Sequence, residues 1–514
     1  LVEAEARELV QGSFLADAPI IRTSATTGEG IDALRAALKV AAGEAIASRS
    51  VSEDAPFRMA IDRCFTIEGH GTVVTGSVSS GAATVGDALV IQPDELEVRI
   101  RGIHNHDAAV ETVGRGQRAA INLAGVHHEQ IQRGHELAAS RHLKPSRLIT
   151  VQLHLGEAAP RPLKQRARVR LHVGTAEVLG VVSLMGQGGA IEPGRSAFVQ
   201  LHLSEPVATV WNQPFVLRSE SPVLTIGGGR ILLPDAEKIR MLPAATSDKL
   251  HELAEGSEAE RAAAAVFFAP PSAWRAEDLP RLAGVTAPEA VVARLVEEGT
   301  LVPLPVSPTQ TVNLHADVLA DWERRIVQQL TRLHDEHPMQ SLMEVTQVIQ
   351  AVGFLARPTL LQAVIERMAE NGVVRLTERG VGLSDRQPKL TLAQKQLYQK
   401  IVAQFETAAF QPPTVKELEQ QHPTQRKDVA QLIQIAVNEG ALKHIAGDMF
   451  LHAPAEQEMR DTVATALRDQ EGMTLSAIRE LLGTTRKYAV PFCEYLDKIG
   501  VTKRSGDLRV LGSA

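Results

Sequence analysis

The sequence predicts a multidomain protein in which a short α/β segment precedes two all-β barrels and four tandem blocks of helices, each ending in a hairpin. Three observations predict this order. The chain has 514 residues, too many for a single hydrophobic core. Residues 56 to 234 contain short alternating apolar runs broken by glycine, as in small barrels. After residue 235 the apolar residues adopt helical spacing, and one closing phrase occurs four times.

Composition narrows the class of protein. With 44% hydrophobic and 22% charged residues the chain is typical of a globular protein. No apolar run approaches the roughly 18 residues of a membrane span, and no signal peptide is visible. Cys64 and Cys493 lie in different predicted domains and far from any histidine cluster, which argues against disulfides and zinc. We therefore expect a cytoplasmic monomer without membrane contact, and the net charge of -7 gives no global reason to expect nucleic acid.

The first 55 residues predict the end of an α/β domain and a linker. The chain opens at Leu1 inside an amphipathic run without a cap, so we interpret it as the C-terminal part of a longer protein. Residues 20 to 23 predict a strand, the loop through Ser24, Ala25 and Gly28 follows, and Leu34 and Leu38 predict a helix. The small, polar, aperiodic residues from 41 to 55 predict a linker.

The first barrel begins at Pro56. Its opening stretch predicts a hairpin, because two β-rich runs flank Glu68-Gly69-His70-Gly71 and glycines supply the backbone conformation of a tight turn. The period-2 rule places Arg99 and Arg101 on the solvent face. The remaining predicted strands are 72–78, 88–91, 98–103 and 119–123.

The second barrel is predicted between residues 147 and 234, with strands at 148–155, 167–173, 177–184, 197–203 and 215–218. Gly227-Gly228-Gly229 lacks the Lys-Ser/Thr and the helix that a phosphate-binding loop needs. We interpret these glycines as a tight barrel corner.

Each helical block closes with an amphipathic helix, a glycine suited to a left-handed C-cap, and a short β run. The four glycines are Gly299, Gly372, Gly440 and Gly500, about 60 to 75 residues apart. Helices followed by a hairpin form a winged helix. The predicted helical runs are 258–268, 288–298, 319–334, 358–370, 391–405, 426–439 and 456–468.

The whole chain resembles the selenocysteine-specific elongation factors of bacteria. The hairpin from Phe65 to Gly76 resembles the opening of the second domain of translational GTPases, Asp62-Arg63 precedes it, and residues 214 to 229 resemble the closing strand of the third domain. This implies a remnant of an α/β G domain, two barrels of translation-factor type and four winged helices. The implied boundaries are G-domain remnant 1–42, linker 43–55, barrels 56–140 and 141–234, and winged helices 235–316, 317–388, 389–454 and 455–514.

The resemblance implies three sets of site residues. Asp62, Arg63 and Arg118 would hold selenocysteine on its tRNA, because a selenol is ionised at neutral pH and a guanidinium separates it from neutral serine. Adjacent strand residues face opposite ways, so a bulge or strand end is needed there, and a surface ion pair on a barrel rim is the alternative. Ser24 and Ala25 would contact guanine. An mRNA hairpin would bind the last block at Arg486, Lys487, Tyr488, Lys503 and Arg504.

That last block gathers cations in an acidic chain, with 6 basic and 3 acidic residues from Arg486 onward. A solvated helix start is the alternative interpretation. Pro491 requires a kinked helix or one that begins near Val490. The block has its own hydrophobic pattern, so we expect residues 456 to 514 to fold and bind RNA alone.

The resemblance also implies partners and cofactors. The partners are selenocysteinyl-tRNA, an mRNA hairpin and the ribosome, and the intact factor would use GTP and Mg²⁺. No G-x-x-x-x-G-K-[ST] motif occurs in the sequence, so we expect no cofactor and no GTP hydrolysis for this chain by itself. Two other functions remain open, a DNA-binding regulator with several winged helices and an elongation or initiation GTPase acting on standard tRNA.

Overall fold

The computed structural model describes ten stretches of the chain. They fold into two compact units, Leu1–Glu297 and Glu298–Ala514. The described stretches are 2–11, 15–47, 55–67, 71–186, 188–239, 244–271, 273–378, 380–386, 389–468 and 470–512.

The N-terminal segment contains two helices, α1 (Val2–Val10) and α2 (Ile31–Ala47). The strand predicted at residues 20 to 23 is wrong, because this stretch has no partner strand among the described residues. The linker prediction is also wrong in part. Helix α2 continues to residue 47, since the alanines that made this stretch look featureless are strong helix formers. Residues 48 to 54 lie outside the described part of the chain.

The first barrel is confirmed, and its hairpin is formed by β1 and β2, which pair from Arg58↔Ser80 to Ile67↔Gly71. The predicted turn residues 68 to 70 lie outside the described residues. Six strands close the ring in the order β4-β9-β1-β2-β8-β5, with β4 paired to β5, and Arg99 and Arg101 are exposed as predicted. The strands are β1 (Arg58–Ile67), β2 (Gly71–Ser80), β3 (Ala82–Thr84), β4 (Ala88–Gln92), β5 (Leu96–Asn105), β6 (Ala108–Val110), β7 (Thr112–Gly114), β8 (Arg118–Ala124) and β9 (Glu136–Ala139).

The second barrel closes in the order β10-β15-β13-β12-β16-β17. Its strands are β10 (Pro145–Leu155), β11 (Leu163–Lys164), β12 (Arg168–Val173), β13 (Ala176–Leu184), β14 (Ala190–Ile191), β15 (Ser196–Ala208), β16 (Pro214–Ser219) and β17 (Thr225–Leu233).

The three glycines predicted as a barrel corner lie inside strand β17, so that prediction is wrong. Strands β10 and β16 approach β17 too closely for side chains. A Cβ at Gly227 would lie 2.3 Å from the His154 carbonyl oxygen, and one at Gly229 would lie 1.9 Å from that of Gln152. Close backbone approach, rather than a turn, therefore requires glycine here.

Buried polar contacts join the two barrels. Arg58 of the first barrel donates to the Gln213 amide oxygen of the second at 3.1 Å, and Glu136, also of the first barrel, pairs with Arg58 at 3.4 Å. The Thr175 hydroxyl, in the turn between β12 and β13, donates to the Ile61 carbonyl of β1 at 2.6 Å. The helices that complete this unit are α3 (Ala244–Glu255), α4 (Glu258–Phe268), α5 (Leu279–Ala283) and α6 (Pro288–Glu297).

The second unit repeats a pattern of helices followed by a hairpin, and the four glycines predicted as C-caps all have φ between +73° and +82°. Its helices are α7 (Ala316–Glu336), α8 (Val345–Ala351), α9 (Pro358–Glu370), α10 (Leu392–Ala408), α11 (Val415–Gln421), α12 (Arg426–Asn438), α13 (Ala453–Arg468), α14 (Leu475–Leu481) and α15 (Arg486–Lys498). Its strands are β18 (Leu301–Ser307), β19 (Gln310–His315), β20 (Val374–Thr377), β21 (Gly380–Leu383), β22 (Leu442–Ala446), β23 (Met449–His452), β24 (Met473–Thr474), β25 (Thr502–Ser505) and β26 (Leu508–Leu511).

Two hairpins share a hydrophobic core with the helices that follow them in the sequence. Leu304 and Leu314 of β18 and β19 pack with the core of α7, α8 and α9. Ile445, Met449 and Leu451 of β22 and β23 pack with α13, α14 and α15. The boundaries predicted at 316/317 and 454/455 thus follow the repeat in the sequence, whereas the cores continue across them.

Candidate functional site

A β-bulge in the first barrel shapes the site predicted for selenocysteine. Ile61 pairs with Gly76 and Arg63 pairs with Thr75, so Asp62 is the extra residue without a partner of its own. A bulge bends its strand and re-aims the side chains around it. The bulge that the alternating pattern required is therefore present at Asp62.

The bulge brings Asp62 against Arg118 of β8. Two hydrogen bonds join the guanidinium to the carboxylate, at 2.6 Å and 3.0 Å, and the Thr75 hydroxyl donates to the same carboxylate at 2.8 Å. Burial raises the pKa of Asp62, but these hydrogen bonds and the charges of Arg118 and Arg63 outweigh it and lower the pKa overall. The carboxylate is thus ionised at neutral pH, and the three charged groups carry a net charge of about +1.

Arg63 and Arg118 contribute to this site in different ways. Both side chains are exposed, but Arg63 helps to lower the pKa of Asp62 through its charge, without a hydrogen bond. Thr175 of the second barrel also supports this arrangement, since its hydroxyl donates to the carbonyl of Ile61, next to the bulge. The Gly134 amide of the first barrel donates to the same carbonyl at 3.3 Å. The site therefore combines one cation that is hydrogen-bonded to Asp62 with one that acts on Asp62 through its charge.

The loop at Ser24 and Ala25 is a compact turn ahead of α2. The Gly28 amide donates to the Ser24 carbonyl at 2.9 Å, and the Thr27 amide donates to the Ser24 hydroxyl at 3.2 Å. Gly30 has a φ of +73°, and a Cβ there would lie 2.0 Å from the Arg22 carbonyl oxygen. Hydrogen bonds and a close backbone approach thus define the conformation of this loop, and its contact with guanine stays a prediction.

The cations predicted in the last block lie at the start of α15 and on its wing. The helix begins at Arg486 and contains Pro491, so the alternative of a start near Val490 is wrong. Because proline has no N–H, the Lys487 carbonyl loses its usual helical partner. The Lys487 ammonium lies 5.0 Å from the Tyr488 ring centroid, and that ring stacks on Phe492.

The wing is the hairpin of β25 and β26, turned at Gly506 with φ +64°. Lys503 and Arg504 are exposed on β25, and Arg504 donates to the Gly506 carbonyl at 3.1 Å. Strand β25 packs against α15. The two groups of cations therefore lie on neighbouring elements of one small domain, and Tyr488 is half-buried rather than fully exposed.

Sequence reasoning missed a basic face on the second barrel. Arg170 of β12 is directly opposite Arg218 of β16, although like charges in paired positions are unfavourable. Glu177 pairs with Arg170 at 2.7 Å, yet the Nε atoms of both arginines are buried without an acceptor among the described residues. The alternating Arg166, Arg168, Arg170 and His172 in the sequence is the signal that could have indicated this face.

Two further features bear on the class of site. Within the described stretches, no group of three or more His, Cys, Asp or Glu side chains could hold a metal ion. None of the helices in these stretches has the length and hydrophobicity needed to cross a bilayer.

Three family models match separate parts of the chain. Residues 71–138 match elongation factor Tu domain 2, and residues 147–238 match the beta-barrel domain of the selenocysteine-specific elongation factor. Residues 465–511 match the winged helix of elongation factor SelB. These matches fall on the first barrel, the second barrel and the last helical block.

Relatives match over the full length of the chain. The selenocysteine-specific elongation factor of Desulfomicrobium baculatum is 29% identical over 509 residues, which cover 99% of this chain and 80% of the relative. The Escherichia coli K12 protein of the same name is also 29% identical, covering 100% of this chain and 79% of its own.

A solved structure shares the fold. The crystal structure of the bacterial selenocysteine-specific elongation factor EF-Sec aligns with a TM-score of 0.54 and 19% identity, covering 99% of this chain and 78% of that chain. The matches of the second barrel and of the last helical block agree with the relatives that align over nearly the whole chain, and all of them show similarity to the bacterial selenocysteine-specific elongation factors.

Proposed function

We propose that this chain delivers selenocysteinyl-tRNA to a ribosome at a recoded UGA codon. The first barrel holds the aminoacyl group, and the last block binds a hairpin in the mRNA. The observation that carries the proposal is the bulge at Asp62, because it gathers Asp62, Arg63 and Arg118 into one site that a regular strand would divide between two faces.

Charge is the basis of selectivity at this site. A selenolate carries a negative charge at neutral pH, whereas the serine hydroxyl does not, so a net positive site favours selenocysteine. Asp62 holds the Arg118 guanidinium in place through two hydrogen bonds, and the remaining N–H groups of Arg118 can donate to the selenolate. Arg63 adds a second positive charge from the adjacent position.

The tRNA also needs contacts for its backbone. The basic face formed by Arg168, Arg170 and Arg218 on the second barrel supplies three guanidinium groups, of which Arg168 pairs with Glu220 at 2.9 Å and Arg170 with Glu177 at 2.7 Å. Phosphates accept hydrogen bonds from guanidinium groups. We propose that the acceptor-stem end of the tRNA binds the first barrel and that the phosphate backbone of a tRNA helix binds this basic face of the second barrel.

Members of this family use GTP and Mg²⁺ in their intact form. The present sequence contains a candidate guanine loop at Ser24 and Ala25 but no phosphate-binding loop, so the residues at hand do not fit the nucleotide. The proposed role of this chain is therefore RNA binding, without nucleotide hydrolysis.

The hairpin proposal is tested by titrating the chain with a stem-loop RNA, a loop-scrambled control and a duplex DNA at several salt concentrations. Affinity should fall steeply with salt. Arg486→Ala or Lys487→Ala should each reduce the log-log slope by about 0.7 to 0.9. Equal binding to both RNAs would leave only a generic basic patch. A preference for duplex DNA would instead favour the DNA-binding regulator.

A further inference from the structure

The start of α15, proposed above to bind RNA, is already in contact with another segment of the chain. Residues 410 to 417, which comprise most of the connection from α10 to α11 and the first turn of α11, lie against it. The Thr484 hydroxyl donates to the Phe410 carbonyl at 2.7 Å, and the Gln411 side-chain amide donates to the Gly483 carbonyl at 3.3 Å. The Phe410 side chain packs on the core of the last block. The contact between these two segments is therefore defined by both hydrogen bonds and apolar packing.

One charged contact completes this junction, and it involves a proposed RNA ligand. The Lys487 ammonium lies 3.8 Å from Oε1 of Glu417. The two side chains are 55% and 50% exposed, so solvent screens the pair and it is worth little in the free protein. Such a pair can exchange partners, unlike a buried one.

Glu417 is held in position by its own helix. Its Oε2 accepts from the Thr414 amide at 2.8 Å, and its own amide donates to the Thr414 hydroxyl at 3.3 Å, which is a capping box at the start of α11. One carboxylate oxygen thus caps α11 while the other is directed at Lys487. The hydrogen bond from the Thr414 backbone is the main factor that lowers the pKa of Glu417, with help from the Thr414 side chain and the Lys487 charge.

A phosphate that approaches Lys487 therefore meets a carboxylate fixed within 4 Å of the same ammonium. We propose that Glu417 competes with RNA phosphate for Lys487 and so acts as a negative determinant of RNA binding at the start of α15. RNA binding then exchanges the Lys487–Glu417 pair for a Lys487–phosphate contact, and Glu417 keeps only its role as a helix cap. This inference rests on the RNA site proposed above.

The test substitutes the carboxylate and keeps the cap. In the full chain, Glu417→Gln removes the charge, while glutamine can still accept from the Thr414 amide. The matched control is Glu419→Gln on the same helix. Glu419 pairs with Arg426 at 3.0 Å, so this variant also removes one negative charge and releases one cation, away from Lys487. The probe is a labelled RNA stem-loop at low salt.

Glu417→Gln should tighten RNA binding by about 1.5- to 5-fold relative to Glu419→Gln, as expected for the loss of an exposed competing pair. In the Lys487→Ala background the same substitution should give no gain, because the ammonium for which the two anions compete is absent. Thermal unfolding of both variants should match that of the wild-type chain.

Three outcomes separate the possibilities. If the wild-type chain binds the RNA and Glu417→Gln gains no more than Glu419→Gln, the inference is wrong while the RNA site stands. If the gain persists in the Lys487→Ala background, Glu417 acts only through the general field of the protein, and the inference is again wrong. If neither the wild-type chain nor Glu417→Gln binds RNA, the RNA site and the inference fall together.

Discussion

The two arginines of the first-barrel site should contribute differently to the choice between selenocysteine and serine. Removing a charge-assisted contact to an ionised ligand costs about 1.5 to 3 kcal/mol, or about 10- to 150-fold in affinity at 1.36 kcal/mol per tenfold. Arg63 acts on Asp62 through its charge alone, so Arg63→Ala should lie near the lower limit. Arg118→Ala should lie near the upper limit, because it also releases the Asp62 carboxylate to repel the selenolate.

The assay is protection of the aminoacyl ester from hydrolysis, measured for selenocysteinyl-tRNA and seryl-tRNA over a range of protein concentrations. Each variant should lose affinity for selenocysteinyl-tRNA and retain its affinity for seryl-tRNA. Arg99→Ala is a matched control, because Arg99 is an exposed arginine of the same barrel that donates to the Gly86 carbonyl. An equal loss for both tRNAs in the Arg63 and Arg118 variants would refute the assignment of the selenocysteine site.

Three other predictions concern the remainder of the first unit. The chain should hydrolyse no GTP above a boiled control, because it lacks a phosphate-binding loop. Thr175→Val removes a hydrogen bond to Ile61 beside the bulge, so it should lower the free energy of unfolding in urea by about 0.5 to 1.5 kcal/mol and reduce selenocysteine selectivity. Unchanged selectivity would mean that the second barrel does not position the site. Burial, with the charges of Arg58 and Arg281, lowers the pKa of His142 to about 4 in the folded chain. The His142 side chain therefore binds a proton more readily in the unfolded chain than in the folded one, and the free energy of unfolding should fall as the pH decreases from about 6.5 to 4. His142→Gln should lessen that fall by about 1 to 3 kcal/mol in urea titrations, and an identical pH dependence in both proteins would contradict the assignment.

The elements with a regular pattern could be predicted from the sequence. Alternating runs predicted both barrels, and the glycines at the helix ends predicted the four left-handed caps. The failures have local physical causes. The glycines of β17 looked like a turn, because the close approach of β10 and β16 leaves no trace in local sequence. The strand expected at residues 20 to 23 lacks partners within the described chain.

The candidate sites show the same limit. Asp62, Arg63 and Arg118 could be named from a resemblance, but the bulge that gathers them depends on which residues of β1 and β2 face each other. That register is set by the whole barrel. The pair of Lys487 and Glu417 spans 70 residues of sequence, and nothing near either residue predicts it. Contacts between distant residues therefore had to come from the structure.

The hairpin of β22 and β23 connects the cores of the last two helical blocks. It packs on α10 and α12 on one side, and its residues Ile445, Met449 and Leu451 enter the core of α13 to α15 on the other. Exposing each of these buried side chains to solvent would cost about 1.5 to 3 kcal/mol. The last two helical blocks should thus open together in hydrogen exchange, as one cooperative unit. RNA bound at α15 would therefore act on both blocks, because this hairpin connects their cores.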